Sequence, residues 1–255
     1  MAQQKTALIT GATSGIGKAI ARKLADDNYQ LIITGRRQDR LEELKQELGK
    51  KNTPEILPLA FDVRDHEAVK KHVQEIPDHL SPVDVLVNNA GLAAGLAGIH
   101  EGDVENWEQM IDTNIKGLLY MTRQITPGMV EQQSGHVVNI GSLAGKEMYE
   151  KGNVYSATKH AVDALNKGMR LDLVQHGIKV TNVNPGLVET EFSLVRFNWD
   201  EERASKVYQG YQPLTAEDVA DSVWFAVSRP SHVTINDITL TPAAQGHSTY
   251  VVKDE

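Results

Sequence analysis

Seven short apolar runs recur along the chain, separated by longer amphipathic stretches. That alternation constrains the fold more than any other feature. Short apolar runs fit strands buried on both faces, and the stretches between them are long enough to cross back over a sheet as helices, which is the pattern of βαβ units building a parallel sheet. The runs stand at 6–10, 30–34, 55–61, 83–88, 136–140, 178–183 and 235–241. Helical stretches lie near 16–27, 39–50, 65–76, 104–130, 154–175 and 216–228, and 187–212 is less regular. No linker, internal repeat or low-complexity tract divides the chain. One α/β domain over 1–255 is expected, a seven-stranded, mostly parallel sheet with helices on both faces.

Several features need no function. In "QDRLEELKQELGKK" the leucines at 41, 44 and 48 mark a buried stripe and the charges around them a solvated face. Asp39, with Glu42 three residues on, reads as a helix N-cap and its capping-box partner. A formal charge of −8 argues against nucleic acid as a partner, since phosphates need a basic patch. The absence of cysteine excludes disulfides and thiolate metal sites, and the nine histidines show no metal-ligand spacing, so no metal is expected. "MAQQKTALITG" reaches a glycine before any apolar segment long enough for a signal peptide or membrane span. A soluble, cytoplasmic protein with a small-molecule partner and no membrane contact is the expectation.

"TGATSGIG" (10–17) follows the first strand directly and opens a helix. There a dinucleotide pyrophosphate meets backbone N–H groups at the positive helix end, the arrangement of a Rossmann-type fold. Gly11, Gly15 and Gly17 allow the tight turn and close approach, with Thr13, Ser14 and Ile16 in the same loop. Alone, the loop also reads as a glycine-rich turn. At the end of the second strand an NAD site would present a carboxylate to the ribose 2′-hydroxyl, but here the chain reads "TGRR". Arg36 and Arg37 can instead grip a 2′-phosphate through charge-assisted bonds, which favours NADP. Two exposed loop arginines are the competing reading.

"NVYSATKHAV" (153–162) carries Tyr155 and Lys159 one helical turn apart on one face, able to point at a common target. An isolated pair of this kind is usually structural. Here it stands in order with the glycine loop, "NNAG" at 88–91, Asn114, Ser142 and "PG" at 185–186, and so the chain resembles the short-chain dehydrogenase/reductase family over essentially its full length. Within it, "DVLVNNAGLAAG", "WEQMIDTNIKGLLYMTR", "HVVNIGSLAG", "GNVYSATK" and "NPGLVETEFSLVRF" are similar to the NADP-dependent 3-hydroxy acid dehydrogenases, which act on serine, allo-threonine and related short 3-hydroxy acids.

The resemblance implies a catalytic tetrad of Asn114, Ser142, Tyr155 and Lys159. Tyr155 would be the acid/base, Lys159 its tuner and ligand of the nicotinamide ribose, Ser142 the holder of the substrate oxygen, and Asn114 the holder of a water linking Lys159 to solvent. It carries Asp62 and Val63 to the adenine, Asn89 and Gly91 to the strand end beside the ribose, and Pro185, Gly186, Val188 and Thr190 to the carboxamide side. Asp62 also reads as a helix-start residue. The resemblance further implies a homotetramer. A tyrosine with pKa about 10 needs roughly 4 kcal/mol of preference for the phenolate to act as a base near neutrality, which a lysine ammonium about 4 Å away supplies in principle.

The irregular 187–212 segment reads as a substrate lid. Within it Arg196, among Phe192, Leu194, Val195 and Phe197, is the candidate partner for a substrate acid group; a surface position or a pairing with a lid glutamate is the alternative. The expected reaction interconverts a short 3-hydroxy acid and its 3-oxo acid or semialdehyde. Sulfoacetaldehyde or 3-oxoacyl reduction, and a silent NADP-binding protein on the same fold, are the rivals.

Overall fold

The computed structural model describes residues 4–49 and 55–254. All seven strands form: β1 Thr6–Ile9, β2 Gln30–Gly35, β3 Ile56–Ala60, β4 Val85–Asn88, β5 Gly135–Ile140, β6 Ile178–Pro185 and β7 Asp237–Leu240. They make one sheet in the order β3-β2-β1-β4-β5-β6-β7, parallel throughout, so the sheet is more uniform than the mostly parallel one expected. The helices are α1 Gly15–Asp26, α2 Gln38–Gly49, α3 His66–Gln74, α4 Val104–Ile111, α5 Leu118–Glu131, α6 Asn153–Leu173, α7 Phe192–Arg196, α8 Glu201–Lys206 and α9 Ala216–Val227.

Strand alternation divides the core between the two faces. Ile9, Ile33, Val87, Val138 and Val183 pack with Leu24, Leu41, Leu44, Val219 and Val223 of α1, α2 and α9. Leu8, Ile32, Leu86, Val137 and Val180 pack with Val69, Met121, Ile125 and Met129 of α3 and α5. Near the carboxyl ends the apolar rows give way to amides: Asn88 Nδ2 donates to Asn139 Oδ1 at 2.9 Å, and Asn139 Nδ2 to Asn166 Oδ1 of α6 at 2.9 Å. Buried amides of this kind accept little misalignment, so they fix how α6 lies against the strands. Lys146 adds a charged tie, reaching Asp163 of α6 at 2.5 Å and Asp237 of β7 at 2.7 Å.

Four expectations change. The stretch taken as one helix over 104–130 is α4 and α5 joined through a π-helical turn, Asp112–Gly117, which carries Asn114. The extra residue per turn shifts the hydrogen-bond register without disturbing the apolar periodicity, so sequence pattern does not show it. Helix α2 starts at Gln38, which puts Asp39 inside the first turn and not at the cap; Lys50, its expected end, lies outside the described residues. The capping box belongs to α9, between Thr215 and Asp218. Lastly, 187–212 contains α7 and α8, joined through Asn198 and Trp199 at φ +51 and +66. A left-handed tryptophan is an outlier that its surroundings must hold in place.

Candidate active site

Strand order reverses between β1 and β4, because β1 continues to β2 on one side while β4 continues to β5 on the other, and a crevice opens above their carboxyl ends. The glycine loop and the Asn88–Gly91 turn meet there. Gly11 and Gly15 take φ of +68 and +50, and a side chain at Gly17 would collide with Asn89 and the Gly11 carbonyl. Asn89 Nδ2 donates to the carbonyls of Thr10 at 2.8 Å and Gly11 at 3.2 Å, so its amide braces the loop.

A cavity of about 450 Å³ occupies the crevice. From the sequence candidates it gathers Gly11, Thr13, Ser14, Gly15 and Ile16 of the loop; Arg36 and Arg37 after β2; Asp62 and Val63 after β3; and Asn89 and Gly91 after β4. Ser142, Tyr155, Lys159, Pro185, Gly186, Val188 and Thr190 complete that set. Gly17, Asn114 and Arg196 are not on its wall. Gly17 lies beneath the loop, Asn114 is buried behind Leu92, and Arg196 borders a second cavity of about 140 Å³ that shares Tyr155 with the first.

Ser142 follows β5 and accepts from Ala144 N at 3.1 Å, which fixes its side chain at the start of a 3₁₀ turn. That turn lies against α6 so closely that a Cβ at Gly145 would sit 2.6 Å from the Lys159 carbonyl oxygen. Tyr155 stands in the first turn of α6, 8% exposed, its ring 5.7 Å from that of Phe192. Lys159, one turn on and 7% exposed, donates from Nζ to the Ile140 carbonyl at 2.9 Å, with Nζ 6.0 Å from the Tyr155 ring centre.

Burial pushes the Tyr155 hydroxyl up to about 12 and Tyr149 adds to this, while the Ser142 hydroxyl and Arg196 draw it down. Burial alone lowers Lys159 to about 8. Desolvation outweighs the charges around the ring, Lys159 is not among the groups that shift it, and Tyr155 without cofactor is a protonated phenol at neutral pH.

The Asn114 side chain is spent on structure. Its Oδ1 accepts from Leu92 N at 2.9 Å, and its Nδ2 donates to Leu92 O at 2.9 Å and Thr158 Oγ1 at 3.0 Å, with no side-chain bond to Lys159 among the described residues. Asp62 is gripped by Arg64, with Nη2 to Oδ2 at 2.7 Å, and α3 is capped by Asp65, so Asp62 is not the helix-start residue. Asp62's pKa lies below the usual range: burial raises it, but the bonds and charge of Arg64 lower it further.

Arg196, at the end of α7, donates from Nη2 to Tyr149 Oη at 2.9 Å and from Nε to the Gly95 carbonyl at 3.3 Å. Its guanidinium carbon lies 5.4 Å from the Tyr149 ring centre and 5.8 Å from that of Tyr155. Glu191, in the same 187–212 segment, does not take it: Glu191 pairs with Arg37 and Arg40. Glu191 and Trp199 are among the wall residues that sequence reasoning did not single out; nor did it single out Tyr149, the partner of Arg196, which nothing in "KEMYEKG" marks apart from its being an aromatic in a polar loop.

This arrangement has close counterparts. A family model described as short chain dehydrogenase matches residues 5–201. The NADP-dependent 3-hydroxy acid dehydrogenase YdfG of Salmonella typhi is 47% identical over 239 residues, 93% of this chain and 95% of that protein. The serine 3-dehydrogenase of Agrobacterium fabrum is 41% identical over 250 residues, 98% of each chain. The closed form of a serine dehydrogenase complexed with NADP+ superposes with a TM-score of 0.92 at 45% identity, covering 98% of this chain and 100% of that one. With a matching family model across most of its length and relatives of this identity, the chain belongs to the short chain dehydrogenase family.

Proposed function

We propose that the protein is an NADP-dependent oxidoreductase that interconverts a short 3-hydroxy acid, of the serine, allo-threonine or 3-hydroxypropionate type, with its 3-oxo acid or semialdehyde. The observation carrying this reading is the Arg196 guanidinium carbon 5.8 Å from the Tyr155 ring centre, which sets a cation able to take a carboxylate beside the phenol that would transfer the proton. The names of the relatives support the same substrate class and NADP.

The residues present fit the cofactor. Lining one cavity, the glycine loop and the N-terminus of α1 would hold the pyrophosphate, Arg36 and Arg37 the 2′-phosphate, and Lys159 the ribose next to the nicotinamide. When bound, NADP supplies the hydride acceptor or donor. The chain supplies the rest. Ser142 Oγ donates to the substrate oxygen, and Tyr155 Oη gives that oxygen a proton in reduction or takes one in oxidation. Its protonated resting state is the one that reduction needs. Lys159, charged below pH about 8, would favour the phenolate that Tyr155 becomes on giving up its proton. Asn114 holds Leu92 and Thr158 in place around Lys159. Residues 187–212 form a lid, with Phe192 and Val195 excluding water from the reacting oxygen.

Arg196 Nη1 makes no hydrogen bond among the described residues, leaving donors for a carboxylate. Arg196→Met is expected to lower kcat/KM for the free 3-hydroxy acid by roughly 2–5 kcal/mol of transition-state stabilisation while sparing the methyl ester. Equal losses for acid and ester would sink the assignment. A panel of serine, allo-threonine, 3-hydroxypropionate, a 3-oxoacyl thioester and sulfoacetaldehyde then ranks the substrates.

A further inference from the structure

One end of the large cavity is closed by an ion cluster that joins parts of the chain far apart in sequence. Arg37 donates to Thr13 Oγ1 from Nη2 at 2.9 Å, to Ser14 Oγ at 2.9 Å, and from Nη1 to Glu191 Oε2 at 3.2 Å. The other oxygen of Glu191 meets Arg40 Nη1 at 2.7 Å. A single carboxylate from the segment after β6 thus spans two guanidinium groups at the start of α2. Burial raises the Glu191 pKa, but Arg40 and Arg37 lower it further and leave it below the usual range, so the group is ionised at neutral pH. Arg36, by contrast, is exposed and makes no hydrogen bond among the described residues.

This is the geometry in which a phosphate would be held: two oxygens of one anion, each on its own guanidinium, with a hydroxyl-lined loop beneath. The side chains of Arg37, Arg40 and Glu191 are 35%, 36% and 32% exposed, so water screens the pairs and a stronger anion can displace the carboxylate. A 2′-phosphate carries about −1.5 to −2 charges, more than a carboxylate does.

We propose that Glu191 is an internal anion standing in for the 2′-phosphate, a specificity-determining residue that the phosphate must displace from Arg37 and that thereby limits how far NADP outbinds NAD. The proposal rests on the NADP reading above. NAD carries no group that competes for Arg37, so it binds with the cluster intact; NADP binds only as Glu191 gives way. Since Glu191 immediately precedes α7, the exchange also reaches the segment bearing Arg196.

Calorimetric titration with adenosine 2′,5′-bisphosphate and adenosine 5′-monophosphate tests this without turnover. Glu191→Gln and Glu191→Ala are expected to bind the bisphosphate about three- to tenfold more tightly than the wild type, the range set by removing partly exposed ion pairs, with monophosphate affinity unchanged. Unchanged or weaker bisphosphate binding in both variants, in a protein whose wild type still prefers the bisphosphate, overturns the proposal and leaves the NADP reading intact. A wild type with no preference for the bisphosphate removes the NADP reading and the proposal together.

Discussion

Lys159 keeps an ammonium where its surroundings disfavour one. Its pKa falls from 10.5 to about 8 through burial, which corresponds to roughly 3 kcal/mol held against the fold at about 1.4 kcal/mol per unit. Losing the bond to the Ile140 carbonyl would offset about 1 kcal/mol of any gain from removing the charge. Lys159→Met is therefore expected to stabilise the cofactor-free protein by about 2 kcal/mol at pH 7 while turnover collapses. The sign follows from proton counting: below pH 8 both folded and unfolded chains carry the proton and the penalty is complete, whereas between 8 and 10.5 the folded chain releases it first and the penalty fades. Urea unfolding at pH 7 and pH 10 should show the gap between variant and wild type shrinking. A variant less stable than the wild type at pH 7 would show that Lys159 contributes to the fold as well as to chemistry.

Among elements, the β5–β6 pairing carries a titratable group far from the active site. His136, at the amino end of β5 and 5% exposed, shares a 2.7 Å hydrogen bond with Thr181 Oγ1 of β6. Burial lowers its pKa to about 3, with Lys179 and Lys5 adding to this, so the folded chain holds it neutral. Above pH 6.5 neither state binds the proton; as pH falls from 6.5 toward 3 the unfolded chain binds it first, and stability is lost. The loss attributable to this one residue amounts to as much as about 4 kcal/mol by pH 3.5. His136→Gln, which keeps a polar partner for Thr181, should flatten the acid limb of the stability curve relative to the wild type. Denaturant titrations at pH 7 and pH 4 that fall in parallel for both proteins would place the acid sensitivity elsewhere.

Across the whole molecule, legibility followed the range of the physical cause. Strand runs and the glycine loop announce themselves through local chemistry, so all seven strands and the crevice could be read from apolar runs and turn residues. The π turn at Asn114 could not, since it alters hydrogen-bond register and leaves composition untouched. Asp39 had the right residue type for a cap but lost the position to a helix beginning one residue earlier. The partners of Arg37 and Arg196 lie 154 and 47 residues away, contacts that no window along the chain contains. The left-handed Trp199 was equally hidden, and it has a use of its own. It is 58% exposed yet lines the large cavity, whereas Trp224 is bonded to Asp27 and Trp107 borders the smaller cavity. The protein therefore carries an intrinsic optical reporter at the mouth of its cleft, one indole whose emission is exposed to quenching and to energy transfer into reduced nicotinamide. Titration with NADPH should dim tryptophan fluorescence, and Trp199→Phe should remove most of that change with the far-ultraviolet circular dichroism unaltered; full dimming in the variant would assign the signal to Trp107.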